Sequence, residues 1–265
     1  TAFTYDDNHN TLTAEQQSWY EDEWFGTLRW ENTYDANGNI LTQTYYNRPF
    51  GSSEWSKGSK IIWEYDEAGN MTLHDMTRWV EEAGEYVSNI CNEYIYDANG
   101  NLLTEKQTHD GKNVYLYTFT YDENNNKATF LHQKWNETEW VNYLFVDFTY
   151  DAQNRETESI TKTWTDGDWK LSNKKVSQYL ATVEAQTNYT YDTENDKWQE
   201  KSRLIKRYDA EGHLICVASD RWSEQFGFLK TESQDLYTYE NGLLVSQKAQ
   251  TWNSTDMKFD DTSDF

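Results

Sequence analysis

Apolar and polar residues alternate along most of the chain with a period of two. In the segment 115–121, for example, every second residue is aromatic: Tyr115, Tyr117, Phe119 and Tyr121. This alternation predicts β-strands with one apolar face. No segment shows a convincing helical period, and the lone Pro49 lies in a variable turn, where it interrupts no strand ladder. We therefore predict an all-β fold.

The alternating segments belong to a tandem repeat of about 29 residues. A tyrosine followed by an acidic residue and a turn-forming cluster recurs at intervals of 29, 31, 31, 25, 29, 58 and 31 residues. The interval of 58 is twice 29, so we expect a degenerate copy midway, at Tyr179, which leaves Tyr191-Asp192 out of phase. We predict a single repeat domain over residues 1–265 with about eight to nine copies, which begin near Tyr5, Tyr34, Tyr65, Tyr96, Tyr121, Tyr150, Tyr179, Tyr208 and Tyr239.

Each of these marker tyrosines is followed by a hairpin-turn signature, for which Asp-Ala-Asn-Gly-Asn after Tyr34 is the model. The fourth residue after the tyrosine is Gly, Asn or His in most copies, and these types tolerate a positive φ. The Asp side chain is placed to accept backbone N–H groups inside its own turn. We assign structural turn roles to Asp35, Gly38, Asp66, Gly69, Asp97, Gly100, Asp209 and Gly212.

Two tryptophan columns keep the same register. Ten residues before the marker tyrosines stand Trp24, Trp55, Tyr86, Gly111, Trp140, Trp169, Trp198 and Leu229. Fourteen residues after them stand Trp19, Trp79, Trp135, Trp164 and Trp222, with Trp252 one residue early. Length variation falls between the two columns, so each repeat is predicted to be one antiparallel strand pair. Eight full copies with flanking pieces give about 17 strands, in an extended, curved meander of β-hairpins or a short β-spiral.

Composition and net charge argue against disorder and against some classes of binding partner. The 13 Trp, 20 Tyr and 11 Phe supply the aromatic area that disordered chains lack. A formal net charge of −23 disfavours nucleic acid and anionic membrane surfaces. No apolar stretch is long enough to span a bilayer. Because Thr1 stands within a predicted strand, we expect that a leader or upstream segment was removed.

The turn motif Tyr-Asp-x-x-Gly-Asn followed by Leu or Ile resembles the YD repeats of the Rhs, teneurin and insecticidal-toxin shell proteins. Its strongest copies lie at 34–41, 65–71, 96–103 and 208–215. The tandem tryptophan hairpins are also a little similar to cell-wall and choline-binding repeats. The YD resemblance implies a bacterial protein, secreted or in the cell envelope, built from curled β-hairpins with no active site carried by the repeat. In the large relatives the hairpins form a hollow shell, for which this chain is too short, so we expect an open arc or short spiral.

Little in the sequence predicts catalysis or metal binding. The repeated Asp residues suit either calcium or turn capping, and we favour capping because no fixed downstream Glu completes a calcium loop. The five His residues never show zinc spacing, and Cys91 and Cys216 are far apart. Common hydrolase, metalloprotease and nucleotide-site motifs are absent. We expect no metal, no cofactor and no catalytic residue.

The aromatic columns are the best functional candidates, because flat aromatic rings stack on sugar faces and equally well on one another across strands. We predict a non-catalytic binding module for a glycan or a surface protein, which uses Trp24, Trp55, Trp140, Trp169 and Trp198. The other column adds Trp19, Trp79, Trp135, Trp164 and Trp222 as further candidates. A purely structural spacer or shell fragment of a longer YD-type protein is the alternative. A carbohydrate-processing enzyme is less favoured; its cleft would lie where the repeat is broken, near Gly111 or at residues 180–183.

Overall fold

The regular structure is entirely β. The computed structural model describes residues 1–20, 22–49 and 51–264, and every regular element in these ranges is a strand. No helix there is long and apolar enough to cross a membrane. The predicted all-β hairpin fold is thereby confirmed.

The strands follow the repeat closely. They are β1 (Ala2–Tyr5), β2 (Thr11–Tyr20), β3 (Glu23–Tyr34), β4 (Ile40–Asn47), β5 (Ser56–Tyr65), β6 (Met71–Val80), β7 (Glu85–Tyr96), β8 (Leu102–His109), β9 (Lys112–Tyr121), β10 (Lys127–Trp135), β11 (Trp140–Tyr150), β12 (Glu156–Thr165), β13 (Asp168–Leu180), β14 (Val183–Asp192), β15 (Lys197–Tyr208), β16 (Leu214–Ser223), β17 (Phe228–Glu240), β18 (Leu243–Asn253) and β19 (Lys258–Asp264). The described residues thus hold 19 strands rather than about 17, because the flanking pieces contribute three strands, β1, β18 and β19.

The chain forms two compact units. Unit 1 contains Thr1–Thr120 and His132–Asn142, and unit 2 contains Tyr121–Leu131 and the residues from Tyr143 onward. In unit 1 each strand from β1 to β9 pairs antiparallel with its sequence neighbour. In unit 2 the same neighbour pairing runs from β11 to β19. Each unit is therefore a meander of hairpins.

Bulges recur near both ends of the hairpins. At the tyrosine end the register shifts directly before the marker, as at Thr33/Tyr34 and Arg207/Tyr208. Near the tryptophan end one residue has no partner in the register of its hairpin. Gly26 stands opposite Gln17 and Leu28 opposite Gln16, so Thr27 bulges out between them. A bulge increases the right-handed twist of its strand pair. The repeat therefore builds regular twist into each unit.

Few side chains are buried. Among the described residues no large side chain is fully buried, and the buried apolar residues are Ala14, Cys216 and Ala218. A sheet without a deep core depends on contacts between side chains of neighbouring strands. These contacts are concentrated in two places, the tyrosine turns and the tryptophan ends.

Candidate functional site

The tyrosine turns share one hydrogen-bond pattern. In the turn after Tyr65, Asp66 Oδ1 accepts the backbone N–H groups of Ala68 and Asn70 at 3.0 and 2.8 Å, and Asn70 Nδ2 donates to Oδ2 at 2.9 Å. The Asn70 side-chain bond holds the pKa of Asp66 below its ordinary value. Gly69 supplies the positive φ of 87°. The same arrangement occurs in the turns of Asp6, Asp35, Asp97 and Asp122.

The turn of Asp209 contains a cluster of potential metal ligands. Ligand atoms of Asp209, Glu211 and His213 lie within 4.8 Å of one another. Desolvation opposes ionisation of Asp209, but hydrogen bonds from His213 outweigh it and lower the pKa of this carboxyl. The carboxylate already accepts the backbone N–H groups of Glu211 and His213, and Oδ2 lies 2.9 Å from His213 Nδ1. This is the geometry of a capped turn, in which His213 replaces the Asn of the five turns described above.

At the opposite end of the hairpins, the two tryptophan columns form edge-to-face pairs. Trp164 and Trp169, for example, are direct cross-strand partners with ring centroids 5.1 Å apart and planes at 72°. Five other pairs have centroids 5.0 to 5.4 Å apart: Trp19 with Trp24, Trp79 with Tyr86, Trp135 with Trp140, Tyr191 with Trp198, and Trp252 with Phe259. Such pairs contribute about 0.5–1.5 kcal/mol beyond burial.

Three hairpins depart from this pairing. Arg48 takes the place of the first ring in one, and its guanidinium lies 4.9 Å from the ring centroid of Trp55. Leu229 stands opposite Trp222 in another. In the shortest repeat, the tight turn Asp110–Gly111 occupies the position of the pair.

Lysines from neighbouring strands cover some of the aromatic pairs. Lys57 Nζ lies 3.9 Å from the Trp79 centroid, and Lys174 Nζ lies 5.0 Å from that of Trp198. A cation over an indole face is attracted by the ring quadrupole. One face of the Trp79 ring and one face of the Trp198 ring are therefore already in contact with a lysine of the same chain.

The five tryptophans predicted to bind ligand therefore differ in their surroundings. Trp24 is the most exposed, at 64%, and pairs with Trp19. Trp140 and Trp169 pair with the other column, Trp55 contacts the Arg48 guanidinium in place of a ring, and Trp198 contacts both Tyr191 and Lys174. The structure thus joins the two columns in the hairpins of Trp24, Trp140 and Trp169. The predicted binding role stays a prediction for all five.

The shortest repeat opens a notch in unit 1. His109 pairs with Lys112, and Asp110 and Gly111 turn the chain with φ of 47° and 72°. Positive φ at both positions is typical of a two-residue type I′ turn. The notch has a volume of about 690 Å³ and is lined by His109, Gly111, Lys112, Asn113, Val114, Trp135 and Glu137. It brings Trp135, one of the further candidates from the other column, together with polar side chains of β8 and β9.

A second cavity lies in unit 2 at the degenerate repeat, where the turn signature is lost. It has a volume of about 180 Å³ and is lined by Ser177, Tyr179, Glu184, Ala185, Gln186, Leu204 and Lys206. Both positions at which the sequence breaks the repeat symmetry therefore carry a cavity. In the sequence, these two cavities are marked by the loss of four residues near Gly111 and by the loss of the turn motif after Tyr179.

The chain matches no family model and no curated protein. Among solved structures, it is similar to a protein of unknown function from Bacteroides fragilis, with 13% identity, a TM-score of 0.41, and 46% of this chain and 91% of that one covered. A porin-like protein from Bacteroides uniformis shows 12% identity, a TM-score of 0.40, and coverage of 89% and 92%. The neighbours also include the toxin complex TcdB2-TccC3-Cdc42, with 13% identity, a TM-score of 0.35, and coverage of 97% and 17%. These similarities assign no family.

Proposed function

We propose that this chain is a non-catalytic, secreted or envelope-associated module that binds glycans at the notch beside Trp135. The observation that carries the proposal is the shortened hairpin β8–β9, whose turn occupies the place of an aromatic pair. The YD-type turns support an extracellular setting and a repeat that carries no active site.

The notch has the components of a sugar site. The Trp135–Trp140 pair holds the rings at 67° to one another, so the platform is fixed before a ligand arrives. Around Trp135 the notch offers His109, Lys112, Asn113 and Glu137, which supply both donors and acceptors. An aromatic surface with a few placed polar groups is the usual composition of a small-molecule site. A sugar ring has an apolar face that matches the aromatic surface and hydroxyl groups that match the polar side chains.

A matched pair of variants tests the proposal. Trp135→Leu removes the notch platform, whereas Trp164→Leu changes the equivalent residue of the next hairpin. Leu is a native partner at a tryptophan end, opposite Trp222. On a glycan array we expect the wild type and Trp164→Leu to give the same specific signals and Trp135→Leu to lose them. Equal signals from all three proteins would place binding elsewhere.

A purely structural spacer is the second candidate. It is favoured by the aromatic pairs themselves, since rings such as Trp164 and Trp169 are each other's partners and hold the hairpin end together. The spacer account predicts no glycan signal for the wild type and a comparable loss of stability for Trp135→Leu and Trp164→Leu. A surface-protein ligand predicts the same blank array, with binding to that protein lost only in Trp135→Leu.

A further inference from the structure

A slot in unit 2 separates the tryptophan ends of two neighbouring hairpins, β16–β17 and β18–β19. Pairing between β17 and β18 extends only as far as Ser233 and Thr251, so the strand ends beyond these residues separate. The slot has a volume of about 420 Å³. It is lined by three aromatic rings (Trp222, Trp252 and Phe226), two cations (Arg221 and Lys230), the carboxylate of Glu232, which pairs with Arg221, and several hydroxyl groups, including that of Ser254.

The slot lies where one aromatic partner is missing. Leu229 stands opposite Trp222, whereas Trp252 has Phe259 at a centroid distance of 5.2 Å. The indole N–H groups of Trp222 and Trp252 are shielded from solvent and have no acceptor among the described residues. An unsatisfied buried donor costs about 1–3 kcal/mol. A ligand oxygen reaches these groups only if the rings turn, and the smaller Leu229 leaves Trp222 room to do so.

Lys230 gives the slot an available positive charge. Its Nζ lies 4.8 Å from the Trp252 centroid and 5.6 Å from that of Phe226. Within the described part of the chain, no carboxylate oxygen lies within 4.0 Å of this ammonium group, whereas Arg221 pairs with Glu232 at 3.2 Å. The net charge of −23 opposes anions at long range, but at short range an ammonium held among aromatic rings with no described carboxylate within 4.0 Å is suited to receive an anionic group.

We propose that this slot binds a carboxylate-bearing sugar, a uronic acid residue of an acidic glycan. The carboxylate pairs with Lys230, the sugar face stacks on Trp222, and a ring or hydroxyl oxygen accepts the Trp222 indole N–H group. This inference rests on the proposed glycan-binding function but uses residues that the notch does not contain.

Titration calorimetry with a galacturonate hexasaccharide and a neutral galactose hexasaccharide, at about 0.15 M salt, tests this site. We expect the acidic oligomer to bind more tightly, and Lys230→Met to weaken it about tenfold or more. Leu229→Phe restores the ring that hairpin β18–β19 has at Phe259 and should abolish binding without loss of β circular dichroism. Lys174→Met, which removes the lysine over Trp198, is the matched control and should bind like the wild type.

The outcomes separate this site from the notch. Loss of uronate binding in Lys230→Met together with retention in Trp135→Leu supports the slot, whatever the array shows for the notch. In ¹⁵N-labelled protein, the indole N–H resonance of Trp222 should shift on titration. Equal affinity for the two oligomers, an unaffected Lys230→Met, or full binding by Leu229→Phe would each overturn the proposal.

Discussion

The phenolic hydroxyl of Tyr150 donates a hydrogen bond of 2.9 Å to the backbone carbonyl oxygen of Lys127, the first residue of strand β10. Tyr34 makes the same bond to Thr11 at 2.9 Å, and Tyr179 to Glu156 at 3.0 Å. In each case the acceptor is the residue that opens the strand after the preceding turn. The marker tyrosine therefore ties together the two strands of its hairpin at the end opposite the tryptophans.

Replacement of Tyr150 by Phe removes only this bond. Because the carbonyl of Lys127 then loses a donor, we expect Tyr150→Phe to lower the free energy of unfolding by about 0.5–1.5 kcal/mol. Urea unfolding followed by circular dichroism measures the change. Tyr5→Phe is the control, since the Tyr5 side chain is exposed and its hydroxyl has no hydrogen-bond partner among the described residues. Equal effects of the two substitutions would refute a role for the hydroxyl bond.

Gly69 tests the backbone requirement of the tyrosine turns. Its φ is 87°, and an added Cβ would meet nothing within 4 Å, so backbone strain alone decides the effect of a substitution. Gly69→Ala should therefore cost about 1–2 kcal/mol of stability. Gly69→Asn should cost less, because Asn125 and Asn154 occupy the same position with φ of 61° and 60°. Thermal unfolding of the two variants compares them; equal losses would contradict this explanation.

The capped turns predict a specific dependence of stability on pH. The side-chain bonds from Asn39, Asn70 and Asn101 hold the pKa of Asp35, Asp66 and Asp97 below the ordinary value. The folded state then binds fewer protons than the unfolded state near pH 4, so this stabilisation is fully present above the unfolded pKa of about 3.9. It is lost as pH falls through the folded pKa.

We therefore expect the unfolding midpoint in urea to be insensitive to these groups above about pH 5 and to decrease at more acidic pH. Asp66→Asn should lower the midpoint at pH 7 and flatten its acid dependence. An unchanged acid profile in this variant would show that the Asp66 carboxylate does not contribute through its ionised form.

Arg48 replaces an aromatic ring and makes two kinds of contact. Its Nε donates to the carbonyl oxygen of Gly26 at 2.8 Å, while the guanidinium lies over the rings of Phe25 and Trp55 at 4.1 and 4.9 Å. A lysine cannot reproduce the planar group that makes these contacts together. We expect Arg48→Lys to lower the unfolding free energy by about 0.5–2 kcal/mol. Lys57→Arg, over Trp79, is the converse control and should be nearly neutral.

Much of the fold could be predicted because each repeat contains the residue types that its strands and turns require. The strands follow from period-two alternation, and most marker tyrosines end a strand, as Tyr34, Tyr65 and Tyr96 do. The positive φ of Gly38 and Asn125 was readable because only a few residue types tolerate it. The tyrosine spacing also selected Tyr179 over Tyr191 as the degenerate marker.

The contacts at the tryptophan ends were harder to predict. The sequence predicts two separate columns, although in three copies the two tryptophans stand five residues apart across one turn: Trp19 and Trp24, Trp135 and Trp140, and Trp164 and Trp169. This shared interval in three copies was the available signal for direct pairing. Tyr191 was set aside as out of phase and is the partner of Trp198. The bulges and the slot beside Leu229 depend on where strand pairing stops, which residue types alone do not reveal.

Restoring the missing hairpin end tests the central claim most directly. Replacing Asp110–Gly111 by the six residues Trp-Asn-Glu-Thr-Glu-Trp of positions 135–140 returns four residues to the short repeat and gives it the interval of 29. The grafted aromatic pair should fill the notch beside Trp135 while the other repeats keep their structure. We predict that the grafted protein folds with wild-type β circular dichroism and loses the glycan that the wild type binds on the array. A grafted protein that binds the same glycan with unchanged affinity would contradict the notch as the binding site.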